Sequence, residues 1–278
     1  MKVGMAGASV MLLPWIDGIR IASDLGYDGF EIFGESPQAE IDFISEKERE
    51  EGKRIAEELG IELLVHCPFN NLNIASMNRG VRDESVRQYL SAVDFCAKIG
   101  AKVLVVHNGE YIIDPTIGDM GAQVKAIQWQ LNLDALKRIS EKAEGAEVIV
   151  CLENCNFVWN KIEKSIEDLV KIKQAVGSEN LKFTLDIGHS RLAEGVNQAL
   201  KVLGKEIRHI HFTDNFGKQD DHLIIGEGNF DYSPFLDFFR SFPFVITLEV
   251  VKLNRSIEPA KRSLENFRKI INKNERNR

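Results

Sequence analysis

The sequence predicts an α/β protein, a closed (β/α)8 TIM barrel. Three observations lead there. Apolar, β-branched-rich runs alternate with helical patterns along the whole chain. Those runs are apolar on both faces, as parallel strands covered by helices must be. The 278 residues match the roughly 250 that eight strand–helix units need.

In chain order, strands are read at Lys2–Ala6, Tyr27–Phe33, Ile61–His66, Lys102–His107, Glu147–Glu153, Lys182–Asp186, Ile207–Thr213 and Phe244–Glu249. Helical stripes lie between them: Val86, Leu90, Val93 and Ala97; then Ile162, Ile166, Leu169 and Val176; then Leu264, Phe267 and Ile271. Gly26, Gly60, Gly100, Gly145 and Gly177 follow helical segments, where a residue tolerating positive φ is favoured. Ser233-Pro234 reads as the N-cap and first turn of the seventh helix. An open doubly wound sheet competes with the barrel, but the first strand leads into GMAGAS, which is too poor in glycine for a phosphate-binding fingerprint. No linker or composition break interrupts the pattern, so residues 1–278 are expected to form a single TIM-barrel domain.

Composition narrows the partners. A formal net charge of −7 argues against a nucleic-acid binder, which needs clustered Lys and Arg, but leaves room for a small anionic ligand. The opening MKVGMAGASV lacks a signal-peptide pattern, and no apolar stretch is long enough to span a bilayer, so no membrane partner is expected. Cys67, Cys96, Cys151 and Cys155 form neither a disulfide framework nor paired knuckles, and a cytoplasmic location is the expectation. Cys67, beside His66, reads as a small packing residue before a soft ligand or nucleophile. The tail NKNERNR reads as a solvated end.

The chemistry lies at the strand ends. LLVHCPF ends a strand on His66, VLVVHNG on His107, VIVCLENC on Glu153, FTLDIGHS on Asp186, HIHFTDN on His211 and VITLEVV on Glu249. In a barrel all carboxyl ends open on one face, so six consecutive strands aim an ionisable group at one mouth. His189 follows one strand closely, and the loop after Ile207–Thr213 carries Asp220 and His222 back before Gly226 and Gly228 close it. One such residue alone is commonly a satisfied structural group or a cap; six in succession are not explained that way. Packed acids would also raise one another's pKa unless cations were bound among them. Glu153, Asp186 and Glu249 with His211 suit Mn²⁺, Mg²⁺, Co²⁺ or Zn²⁺. His66 and His107, bridged by Glu153, suit a second, more zinc-like ion. His189, Asp220 and His222 make a third site, for up to three divalent metal ions. Glu31, ending the second strand, is a candidate to orient a ligand or a substrate hydroxyl.

This set of residues resembles the xylose-isomerase-like barrel superfamily of sugar isomerases, ketose 3-epimerases, inosose-processing enzymes and endonuclease IV. The resemblance extends from the NLNIAS stretch at Asn71 to TLEVV. On the epimerase pattern it implies one metal on Glu153, Asp186, His211 and Glu249, with the two glutamates exchanging the substrate proton. On the endonuclease IV pattern it implies three zinc ions on His66, His107, Glu153, Asp186, His189, His211, Asp220, His222 and Glu249. Ketose 3-epimerases carry an arginine shortly after the metal-binding His; here Gly217 and Lys218 stand there.

The rim separates the two chemistries. GESPQAEIDF is acidic and lacks arginine, whereas NGEYIIDPTIGDMGAQ and NCNFVWNK are apolar and aromatic. Tyr111, Ile112, Phe157 and Trp159 suit a lid over a small molecule or a homodimer contact better than a duplex groove. Substrate contacts are expected from His189, Lys218, Phe157 and Trp159. The primary expectation is a metal-dependent sugar or sugar-phosphate isomerase or epimerase. The alternatives are an endonuclease IV-like multi-zinc phosphodiesterase and a metal-binding protein of this fold without catalysis.

Overall fold

The structure is a computed structural model that describes residues 1–111, 118–158, 160–251 and 255–273. Eight parallel strands close a barrel: β1 (Lys2–Ala6), β2 (Gly29–Phe33), β3 (Glu62–His66), β4 (Val103–Val106), β5 (Ile149–Glu153), β6 (Leu181–Asp186), β7 (Ile207–Phe212) and β8 (Val245–Leu248). Every expected strand is present, with ends moved by a residue or two. The closing pair is β1 with β8. Register brings Phe33 level with His66, and Asp186 level with His211, so the strand ends share one rim.

The outer layer comprises α1 (Trp15–Leu25), α2 (Glu46–Leu59), α3 (Arg79–Ile99), α4 (Gly118–Gly145), α5 (Ile166–Val176), α6 (Ile187–Leu192), α7 (Val196–Leu203), α8 (Leu236–Ser241) and α9 (Glu258–Ile271). No helix among the described residues is long and apolar enough to cross a membrane. Local chemistry sets the helix ends. Ser45 and Glu48 form a reciprocal capping box at the start of α2, and Asn78 caps α3 through the amides of Gly80 and Val81.

Three local expectations need correction. The buried face of α3 runs through Val86, Tyr89, Val93 and Cys96, while Ala97 is exposed. At 100° per residue the buried arc is centred near Tyr89, Ala92, Cys96 and Ile99, and Ala97, only 20° from Val86, falls beyond its edge. Gly145 stays inside α4, and Glu147 makes the reversal at φ 56°. Ser233 lies within a 3-10 turn whose first amide is held by Asp231, two residues ahead of the expected cap.

Alternation along each strand divides the core in two. On β7, Phe212 faces the helices while His209 and His211 face the barrel interior. Phe212 is fully buried and stacks on Tyr232 at 4.5 Å, with Phe267 at 4.9 Å and Phe239 at 5.2 Å edge-on. Phe212→Ala leaves a cavity between sheet and helices, and such aromatic truncations cost about 3–5 kcal/mol. A loss of that size in denaturant melts is expected; a loss under about 1 kcal/mol would contradict this account of the packing.

Candidate metal centre

The interior face of the strands delivers ionisable side chains to the carboxyl-terminal rim. Glu153 stands at the centre. Its Oε2 lies 3.0 Å from His107 Nε2 and 3.4 Å from His66 Nε2. Its Oε1 lies 3.2 Å from both His211 Nδ1 and His189 Nδ1. Glu249 Oε2 is 3.2 Å from His211 Nδ1, and Asp186 Oδ2 is 3.9 Å from the same nitrogen. Around the other edge, Asp220 Oδ2 accepts from His222 Nε2 at 2.7 Å and faces His189 Nε2 at 3.2 Å.

Asp186 also caps α6 through the His189 amide at 2.6 Å, which turns the His189 ring back over the mouth. The return of Asp220 and His222 has an equally local cause. Asp214, just beyond β7, accepts from the amides of Gly226 and Gly228 at 2.9 and 3.0 Å. The long loop is thereby folded onto its own base. A Cβ at Gly228 would meet Asp214 Oδ1 at 2.1 Å, so only glycine allows this closure. His222 itself sits at φ 42°, a conformation that non-glycine residues seldom adopt.

The donors fall into the groups expected from the sequence, each with ligand atoms within 4.8 Å of one another: Glu153, Asp186, His211 and Glu249; His66, His107 and Glu153; His189, Asp220 and His222. Two further groups escaped the sequence reading, Glu153 with Cys155 and His189, and Glu31 with His209 and His211. Cys155 follows Glu153 by two residues, and that spacing was the available signal.

This donor set fits a divalent cation. Asp186 Oδ2, Asp220 Oδ1 and Glu249 Oε2 are buried oxygens without a hydrogen-bond partner among the described residues. Left bare, such oxygens are costly, and a cation would satisfy all three.

Electrostatics corrects one expectation. The acids do not all raise one another. Burial and the surrounding carboxylates push Asp186 up to about 6. Burial also opposes ionisation of Glu153, but His211, His107 and His189 outweigh it and hold its carboxyl well below the usual range. Glu249 is lowered in the same way, against burial, by His211 and His222. In return the acids outweigh burial at the imidazoles: His189 and His211 are held well above their ordinary value, His66 is raised, and His222 rises to about 9. His107 goes the other way, to about 4, because burial dominates. Without an ion, protons on imidazole neutralise this cluster.

Beside the donors lies a cavity of about 440 Å³. Met11, Phe33, Phe69, Phe157 and Val251 give it an apolar wall, and Lys161 is the one Lys or Arg among its described lining residues. Lys161 is 8% exposed and pairs with Glu110 at 3.0 Å, tying together the loops after β5 and β4. Burial opposes its charge, yet the neighbouring carboxylates, Glu110 in contact with it above all, keep it protonated. The expected rim contacts divide. Phe157 lines the cavity with its ring 4.6 Å from that of His189. Lys218 is exposed and does not line it. The guanidinium against Gly217 belongs to Arg191, which is turned to the Asn215 carbonyl at 2.6 Å. Tyr111 is buried, not a lid. Trp159 and Ile112 lie outside the described residues. Cys67 is buried in the core, where burial holds its thiol well above the usual value, as its packing role requires.

Comparison with known proteins adds three findings. A family model described as xylose isomerase-like TIM barrel matches residues 19–270. Fructoselysine 3-epimerase of Shigella flexneri is 27% identical over 288 residues, covering 99% of this chain and 100% of that protein, whereas a probable endonuclease 4 of Mycobacterium marinum is 26% identical over 224 residues, covering 77% and 81%. The crystal structure of a D-tagatose 3-epimerase-like protein superposes with a TM-score of 0.80 at 28% identity, covering 98% of this chain and 99% of that one.

Proposed function

The chain belongs to the xylose isomerase-like TIM barrel family, and from that premise we propose that it is a divalent-metal-dependent sugar or sugar-phosphate isomerase or epimerase. The observation that carries this reading is the pairing of Glu153 and Glu249 in one ligand group with Asp186 and His211, facing a cavity with an apolar wall.

An ion held by those four residues would polarise a substrate carbonyl and stabilise the negative charge that develops on its oxygen. The remaining work belongs to the protein. Glu153 and Glu249 are both held below the usual carboxylate range, so at neutral pH they are ionised and able to accept a proton. One removes the proton α to the carbonyl and the other returns one from the opposite side. His189, directed into the mouth by Asp186, and Lys161 donate to substrate hydroxyls or to a phosphate. Phe157 offers an apolar face to the sugar's C–H groups.

Fructoselysine 3-epimerase aligns over 99% of this chain and 100% of its own length, and one lysine, with no arginine, among the described lining residues suits a small ligand better than a phosphate backbone. The full set of nine donors keeps the phosphodiesterase as a second reading. Incubating the manganese- and zinc-loaded protein with a panel of ketoses and ketose phosphates in D2O, and with a duplex containing an abasic site, separates the two. Loss of the substrate α-proton signal with appearance of an epimer or isomer is expected, and the duplex should remain intact. Cleavage of the duplex without exchange on any sugar would transfer the assignment to the phosphodiesterase. Full metal loading with no turnover in either assay would leave a binding protein.

A further inference from the structure

Glu31 is a buried carboxylate of the barrel interior that does not line the cavity at the mouth. It comes from β2 and crosses the interior to β7, three strands away around the barrel. Its Oε1 lies 2.9 Å from His211 Nε2, and its Oε2 lies 2.6 Å from His209 Nε2. The Thr247 hydroxyl on β8 donates to Oε2 at 3.1 Å. Glu31 is 3% exposed, and His209, His211 and Thr247 are fully buried. The carboxylate therefore takes one hydrogen bond from each of three buried side chains on two strands.

We propose that Glu31 is a positioning residue: it holds the His211 ring with Nε2–H turned inward, so that Nδ1 faces Glu153, Asp186 and Glu249 and is free for a divalent ion. This rests on the reading that those four residues hold one ion. A ligating imidazole commonly donates its other N–H to a carboxylate, which fixes both orientation and tautomer. His209 fits the same scheme. Its Nδ1 has no partner among the described residues, whereas its Nε2 lies 2.6 Å from Glu31, so the proton that Glu31 accepts is the one on Nε2. A bare buried lone pair costs less than a bare buried N–H.

Two imidazole donors on one carboxylate make Glu31→Gln informative. An amide has one accepting oxygen, so its NH2 must face one of the two rings. Facing His211, it drives the ring proton to Nδ1, the atom the ion needs. Facing His209, it would leave a buried Nδ1–H without a partner and lose the oxygen that Thr247 donates to, so the NH2 turns to His211, whose Nδ1–H has Glu153 and Glu249 to receive it.

The test titrates metal-free wild type and Glu31→Gln with Zn²⁺ against a competing chelator, and records ring-nitrogen NMR spectra of the ¹⁵N-histidine-labelled, zinc-loaded proteins. Affinity in Glu31→Gln is expected to fall about 10- to 100-fold, with a cooperative melt retained. In the wild type, His211 should show a slowly exchanging Nε2–H, a signal the variant loses. A role in packing alone would move the melt but not the ring tautomer. Affinity within threefold of wild type, or a wild-type His211 carrying its proton on Nδ1, would overturn the proposal while leaving the isomerase reading intact. Failure of the wild type to take up zinc, manganese or cobalt would overturn both. Should Glu31→Gln not fold, the wild-type spectrum alone still decides.

Discussion

Glu249→Gln is expected to slow exchange of the substrate α-proton with solvent by about 10²- to 10⁴-fold, the usual span for removing a general acid–base group. The ion should stay bound. Glu249 is the better of the two glutamates for this test because of what surrounds it. Glu153 faces four imidazoles within 3.4 Å, so its amide would disturb ligands of every group it touches as well as the base. Among the described residues Glu249 faces two imidazoles, His211 at 3.2 Å and His222 at 3.8 Å, and its Oε2 has no hydrogen-bond partner. Three carboxylate or imidazole donors remain when it becomes an amide, and the amide oxygen can still ligate. Deuterium incorporation followed by NMR, with metal content measured on the same samples, gives the answer. Exchange at the wild-type rate in a metal-replete Glu249→Gln protein would remove Glu249 from the chemistry and, with it, the two-glutamate scheme.

Stripping the metal should destabilise the protein, and by more at high pH. The sign follows from the imidazoles. The metal-free protein balances its acids with protons on His66, His189, His211 and His222, all of which titrate above the ordinary histidine value. A histidine raised on folding stabilises fully below its unfolded pKa of about 6.5, and that stabilisation is lost as pH passes the folded value. For His222 that value is about 9. Asp186, raised to about 6, acts in the same direction, since its protonated form is the one the metal-free cluster favours. Metal uptake displaces those protons, so affinity rises with pH while the metal-free state weakens. With free ion at 1,000 times its Kd, linkage gives about 4 kcal/mol, on the order of 10 °C in Tm for a chain of this size. Calorimetric scans with and without chelator at pH 6.5 and 9 should show the gap widening. An equal gap at both pH values, or none, would mean that the cluster does not trade protons for an ion.

Most of the centre was legible because strand geometry is local. A side chain at the end of an apolar run in a parallel barrel has one place to go, and His66, His107, Glu153, Asp186, His211 and Glu249 all went there. His189 followed from its closeness to Asp186, since a residue three past a strand end lies in the first turn that the strand's own carboxylate caps. The position of the loop residues Asp220 and His222 at the mouth was legible through Gly226 and Gly228, although the residue that closes that loop, Asp214, was not.

What could not be read were choices between equivalent chain segments. Lys218 and Lys161 are both loop lysines near strand ends, and only the antiparallel bridge between Glu110 and Lys161 decides which one reaches the cavity. The Glu31–His211 pair joins residues 180 positions apart, across strands that are not neighbours. The order of residues thus determined the barrel and which side chains share its rim, because alternation and strand–helix rhythm are properties of adjacent residues. Tertiary structure decided who pairs with whom and which groups hold the protons. Those depend on the stagger and closure of eight strands, and distances through a barrel interior have no counterpart along the chain.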